Sequence, residues 1–101
     1  MSYRGRIAPT PTGYLHLGHA RTFWTAHQRC KAAKGTLFFR NEDLDANRCK
    51  AEYQQAALED CSWLGIEWEG EPLNQSTQTE YYLKAFKQLC ETGCLYPCTC
   101  S

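Results

Sequence analysis

Arg6-Ile7-Ala8-Pro9-Thr10-Pro11-Thr12-Gly13-Tyr14-Leu15-His16-Leu17-Gly18-His19 is the stretch that decides the fold. Leading into it, Tyr3 to Ala8 reads as a short strand, ended by Pro9. Each proline removes a backbone donor, so residues 9–13 form neither a helix nor a central strand. They are a loop with a defined path. From Leu15 or His16 to Lys34 a helical pattern takes over, with Leu17, Ala20, Phe23, Trp24, His27 and Cys30 at three- and four-residue spacing. Gly35 is its expected stop.

Working outward, Thr36-Leu37-Phe38-Phe39-Arg40 is β-prone and has the length of a buried strand. Asn47 is the expected cap of a second helix, about Arg48 to Leu64, with Tyr53, Ala57, Cys61 and Leu64 inward and Gly65 as its stop. Ile66-Glu67-Trp68 reads as short and extended. Thr77-Gln78-Thr79-Glu80 fits a capping box opening a third helix, with Tyr82, Ala85, Phe86 and Leu89 on one face and Gly93 as stop. Leu95-Tyr96 reads as a last short strand. Phe23, Trp24, Trp63 and Phe86 are assigned to the core. Strands alternating with helices predict an α/β fold with a parallel sheet of the nucleotide-binding type. Ligands in such sheets sit beyond the carboxyl ends of the strands. Segments 9–19 and 41–45 should therefore meet there, with the imidazole pair and Glu42 sharing one pocket.

The bulk numbers set bounds. The chain has 101 residues, enough for one domain, with 43% apolar and 22% charged residues, an ordinary globular mix. Eleven basic and eleven acidic residues balance, so composition speaks neither for nor against RNA. No stretch is long and apolar enough to cross a membrane, and the N-terminus lacks the apolar core of a signal peptide. A cytoplasmic protein is expected. Seven cysteines, an odd number without a signal, read as reduced thiols, some in the core and some as metal ligands. Cys98-Thr99-Cys100, a thiol pair at the last residues, looks like half of something, which predicts a fragment of a longer chain; on its own the pair is a weak metal signal.

His16 and His19 bracket Gly18 at the mouth of the first helix. Free N–H groups and a partial positive charge there suit phosphate, and a glycine admits close approach. Two imidazoles three residues apart lie near one face and can donate to phosphate oxygens. The same pair also fits a solvated helix start, or a zinc site lacking its third ligand. Arg6, leaving the first strand, offers a guanidinium that grips carboxylates bidentately. Glu42, after the second strand, can hold an ammonium group or serve as a cap. Asp43 and Asp45 are expected to shape the turn.

Pro9-Thr10-Pro11-Thr12-Gly13, His16-Leu17-Gly18-His19 and Ala20-Arg21-Thr22 together resemble the first signature of class I aminoacyl-tRNA synthetases, in particular the glutamate-specific branch. Phe39-Arg40-Asn41-Glu42-Asp43-Leu44-Asp45 resembles that family's acidic segment, with Asn41 in place of the usual Ile. Trp63 to Trp68, Gln75-Ser76, and Leu95 to Cys100 also match in order and spacing. The resemblance implies the N-terminal part, here residues 1–101, of a Rossmann-like catalytic domain that adenylates L-glutamate with ATP and Mg2+ and passes it to tRNA. It implies catalysis by His16 and His19, and ATP contacts from Pro9, Thr12, Gly13, His16, Gly18 and His19. Arg6, Ala8, Thr10 and Glu42 would bind glutamate. Cys98 and Cys100 would supply half of a Zn2+ site in an insertion beginning near residue 98 and completed further along. A four-thiol site with Cys90 and Cys94 is the other arrangement.

Two branches of the family share these motifs. One charges the tRNA 3′ end; a shorter one attaches glutamate to the queuosine base of tRNA(Asp). Leu17-Gly18-His19, Arg48-Cys49-Lys50, Trp68-Glu69-Gly70 and Gln75-Ser76 favour the second. A different nucleotidyltransferase of the same superfamily would share the His-containing start without needing the Glu42 segment. The family's second signature, a Lys-Ser-rich phosphate loop, is absent from these residues, so an inactive nucleotide-binding segment is the further alternative.

Overall fold

A computed structural model describes residues 2–100, one residue short of the 1–101 span at each end. Three strands and three α-helices alternate: β1 Arg4–Ile7, α1 Leu17–Ala32, β2 Thr36–Asn41, α2 Ala51–Trp63, β3 Leu73–Asn74, then a 3-10 turn Gln75–Gln78 running into α3 Thr79–Glu91. The strands form one parallel sheet in the order β1-β2-β3. Arg4 pairs with Thr36 and Ile7 with Phe39, while Arg40 pairs with Leu73 and Asn41 with Asn74. This is the expected α/β architecture.

Side chains alternate across a strand, so each strand shows two faces. Ile7, Leu37 and Phe39 face the helices and pack with Phe23, Cys30, Ala57, Cys61 and Ile66 as the core. The other face carries Arg4, Arg6, Phe38 and Arg40, all exposed or half-buried, with the Arg4 guanidinium 4.9 Å from the centre of the Phe38 ring. Cys61 is wholly buried; burial, and secondarily Asp60, pushes its thiol up to about 11.

Several expectations are corrected. α1 buries Phe23, His27 and Cys30 at i, i+4 and i+7, but Leu17 is 88% exposed and Trp24 is exposed. Trp63, at 85%, and Phe86 are likewise on the surface rather than in the core. The whole apolar face of α3 is exposed. Periodicity identifies an apolar face but not whether anything covers it. α2 starts at Ala51 behind Lys50, not at Asn47. Asp45 Oδ1 takes the N–H groups of Asn47 and Arg48, spending those residues on a turn. The Thr77–Glu80 capping box does not form: Thr77 and Gln78 belong to the 3-10 turn, α3 begins at Thr79 behind Gln78, and no side chain caps it. Leu95-Tyr96 is not a strand, and β3 lies instead at Leu73–Asn74. The left-handed residue closing α1 is Lys34, with φ 50°, rather than Gly35. Gly35 is needed for space: a Cβ there would lie 2.4 Å from the Tyr3 carbonyl oxygen.

Among the described residues, no helix is long and apolar enough to cross a membrane. The core assignment predicts that Phe39→Ala lowers unfolding free energy by about 3–5 kcal/mol. Trp63→Ala should change it by no more than about 0.5 kcal/mol. Urea denaturation of both variants checks the ranking, and an equal loss would contradict it.

Candidate active site

The two segments set apart by sequence do meet beyond the strand ends. The Glu42 N–H donates to the Pro9 carbonyl at 3.0 Å, and the Lys50 N–H to the Pro11 carbonyl at 3.1 Å. Pro9 and Pro11 are buried and donate nothing, but their carbonyls anchor the residues that follow β2. Tyr14 then packs edge-on against Tyr53 of α2, ring centres 4.8 Å apart. The loop is fastened at three points before α1 begins.

α1 opens with an imidazole capping box. His16 is the N-cap, and its Nδ1 accepts the Gly18 N–H at 3.0 Å. His19 Nδ1 accepts the His16 N–H, also at 3.0 Å. Two otherwise orphaned helix donors are thereby satisfied reciprocally, a task usually left to Ser or Thr and Glu. With Nδ1 acting as acceptor, the proton of each neutral ring sits on Nε2. The ring centres lie 3.9 Å apart. Burial, then the neighbouring His16, lowers the His19 pKa below its ordinary 6.5. A Cβ at Gly18 would lie 2.8 Å from His16 Cε1 and 3.0 Å from its Nδ1, so the glycine makes room for the cap.

At the second strand tip, Arg40 Nε and Nη2 both bond Glu42 Oε1, at 3.2 and 2.5 Å. Asp43 takes the Ser76 N–H at 2.8 Å and the Ser76 hydroxyl at 2.7 Å, tying the tip to the turn after β3. Asp45 shapes its own turn as expected, whereas Asp43 is corrected from a local turn-former to a long-range tie, since both its carboxylate bonds go to Ser76. Buried Asn41, standing where the resembled family has Ile, donates to Asn74 Oδ1 at 3.1 Å, and Gln54 donates to the same oxygen. The departure adds a polar tie between β2, β3 and α2.

A cavity of about 910 Å3 opens over the β1 edge, lined by Arg6, Ala8, Arg40, Glu71 and Leu73 with Thr22 and Phe23 of α1 among others. His16 lines a separate cavity of about 340 Å3 with Leu15, Leu17 and Trp63. Neither Glu42 nor His19 lines either cavity, so the expectation of one cavity holding both the imidazoles and Glu42 is corrected. The two cavities share no lining residue. Phe23 lines the larger cavity, and its ring centre is 6.0 Å from that of His19. Thr10 is exposed, and Thr12 and Gly13 are half-buried in the loop.

Cys98 and Cys100 are exposed, as are Cys90 and Cys94. Among the described residues, no three His, Cys, Asp or Glu side chains gather to hold a metal. Two thiols are half of the tetrahedral set that structural zinc requires. These residues do not by themselves fit a zinc ion, in either the two-thiol or the four-thiol arrangement.

A family model described as tRNA synthetases class I (E and Q), catalytic domain, matches residues 2–101. The chain belongs to this family. A glutamyl-Q tRNA(Asp) synthetase of Rhodobacter capsulatus is 45% identical over 96 residues, covering 95% of this chain and 34% of the relative. A glutamate–tRNA ligase of Aquifex aeolicus is 43% identical over 96 residues, covering 95% of this chain and 20% of the relative. The solved glutamate tRNA ligase of Elizabethkingia meningosepticum, in complex with its amino acid, superposes with a TM-score of 0.83 at 28% identity, covering 90% of this chain and 20% of that one. The chain thus spans about a third or less of the length of these synthetase relatives. The Rossmann-like reading of the N-terminal part of a class I catalytic domain agrees with this likeness.

Sequence reading missed Arg40. Its signal was its spacing: two residues before Glu42 in an extended chain, it lies on the same side.

The imidazole box makes a spectroscopic prediction. 15N–1H correlation spectra near neutral pH should show both His16 and His19 protonated at Nε2; an Nδ1–H signal from either would contradict the cap. A stability trend follows from the lowered His19 pKa. The unfolded chain binds that proton at about 6.5 and the folded chain only at lower pH, so the His19 contribution is complete above 6.5 and lost as pH falls below it. His19→Gln should flatten the stability–pH slope in that window.

Proposed function

We propose that this chain is the opening part of a catalytic domain that activates L-glutamate with ATP and transfers it to tRNA, with the queuosine base of tRNA(Asp) as acceptor. The observation that carries the reading is the placement of Arg6 and the Arg40-held Glu42 toward one end of the sheet, joined through Pro9 to a helix mouth whose two imidazoles spend Nδ1 on the cap and keep Nε2–H to donate. Arg6 takes the side-chain carboxylate of glutamate, and Glu42 takes its ammonium group through Oε2. Ala8 and Thr10 line the amino acid. Pro9, Thr12, Gly13 and Gly18 give ATP a close backbone approach. His16 and His19 donate Nε2–H to phosphate oxygens as charge accumulates on them. The glutamate α-carboxylate attacks the α-phosphorus, the bond to the β-phosphate oxygen breaks, and pyrophosphate leaves. Mg2+ arriving with ATP would neutralise phosphate charge. No side chain need act as nucleophile, so catalysis is positioning and charge stabilisation.

The domain reading is part of the same proposal: residues 1–101 as the N-terminal portion, and a zinc-binding insertion beginning near residue 98 with its remaining ligands elsewhere. The cytoplasm, where ATP and tRNA are available, is the expected compartment. Relatives of 43% identity named glutamate–tRNA ligase support a second reading, in which the tRNA 3′ end is the acceptor.

The test is ATP–pyrophosphate exchange by the full-length protein. Exchange should depend on L-glutamate, and dependence on a different amino acid would overturn the specificity. His19→Ala should lower kcat about 100-fold. The 101-residue segment alone should show no exchange. Transfer to tRNA(Asp) that carries queuosine, but not to tRNA(Asp) lacking it, separates the two acceptors. Charging of tRNA(Glu) instead would select the second.

A further inference from the structure

We infer that Arg40 is a positioning residue for amino-acid binding, holding the Glu42 carboxylate so that one oxygen is spent and the other is kept for the ligand. The inference rests on the glutamate-binding reading of Glu42 and extends it to a residue that touches no substrate in that reading.

Arg40 lies on the strand face opposite the core. Its register neighbour on β3 is Leu73, and one step past the Ile7–Phe39 pair, Ala8 stands beside it on the β1 side. It therefore sits between two strands whose ends frame the larger cavity, and it lines that cavity together with Arg6 and Ala8. Both of its bonds, from Nε and from Nη2, go to the same oxygen, Glu42 Oε1. The two side chains are 29% and 32% exposed, shielded enough for the pair to hold its geometry rather than drift as surface pairs do.

The arrangement has two consequences. A carboxylate offers lone pairs on both oxygens, and with Oε1 carrying the guanidinium, Oε2 is left to accept from an ammonium group. The Glu42 backbone is already fixed, because its N–H is bonded to Pro9, so the side-chain torsions are its remaining freedom. Two bonds from a planar guanidinium remove that freedom before the ligand arrives, which lowers the ordering cost of binding. A lysine in the same place, a point charge on a flexible stem, can hold the charge but not both bonds in one plane.

Glutamate and ATP KM values for exchange by the full-length protein test this, for wild type, Arg40→Gln, Arg40→Lys, Glu42→Gln and the Arg40→Gln/Glu42→Gln pair. Arg40→Gln should raise the glutamate KM roughly 10- to 100-fold while leaving the ATP KM within about twofold. Arg40→Lys should recover part of the loss. In the Glu42→Gln background, Arg40→Gln should add less than about twofold, since the carboxylate it positions is gone. A wild-type glutamate KM in folded Arg40→Gln, equal increases in both KM values, or full additivity in the double variant would each overturn the inference. Should Arg40→Gln fail to fold, Arg40→Lys decides, because a glutamate KM equal to wild type there excludes the two-bond role. Wild-type protein without glutamate-dependent exchange would sink the underlying reading and this one with it. Active wild type with unaffected Arg40 variants sinks only this one.

Discussion

One backbone hydrogen bond, from the Glu42 N–H to the Pro9 carbonyl, joins the halves of the candidate site. It exists because two prolines forbid the loop after β1 from becoming helix or strand, while leaving its carbonyls free to accept. Through that bond the end of β2 is registered against the loop that leads into α1. The Lys50 to Pro11 bond repeats the device one step on and seats the start of α2. Arg6 and Ala8 on one side, and Arg40 and Glu42 on the other, are thereby brought to one end of a parallel sheet, where ligands of such folds bind.

The helix mouth shows a second economy. Ser or Thr with Glu would close a capping box as well as two histidines do, but the Glu would set an acceptor-only negative charge beside a phosphate. An imidazole has two nitrogens, so one can accept from the backbone while the other still donates outward. The cap and the candidate catalytic function therefore fall to the same two residues, and the cap fixes which nitrogen carries the proton. Gly18 belongs to this device, since a side chain there would collide with the His16 ring.

Much of the framework was readable from sequence because strong local signals agreed. The Pro-Thr-Pro-Thr-Gly loop, the apolar run at 36–40 and the Gly65 stop each have a single physical meaning, and all three hold. What failed needed knowledge of partners. Tyr82, Phe86 and Leu89 do share a face of α3, but nothing among the described residues covers it. Trp63 sits at the end of α2 with its ring outward for the same reason. β3 has two residues, too short for any period to show. Asn47 was a fair cap by residue type, but Asp45 claimed the local N–H groups first. The segments 9–19 and 41–45 do meet past the strand ends, yet the shared cavity was an inference about walls, and walls come from residues far apart in sequence.

The central claim is that Arg6 and Glu42 grip the two ends of a glutamate whose α-carboxylate faces the imidazole pair. A crystal structure of the full-length protein with a non-hydrolysable glutamyl-adenylate analogue tests it most directly. The account predicts the Arg6 guanidinium on the side-chain carboxylate, Glu42 Oε2 on the ammonium, and the Nε2 atoms of His16 and His19 turned toward the nucleotide phosphate. An analogue bound away from the ends of β1 and β2, with Glu42 still engaged only by Arg40, would contradict it.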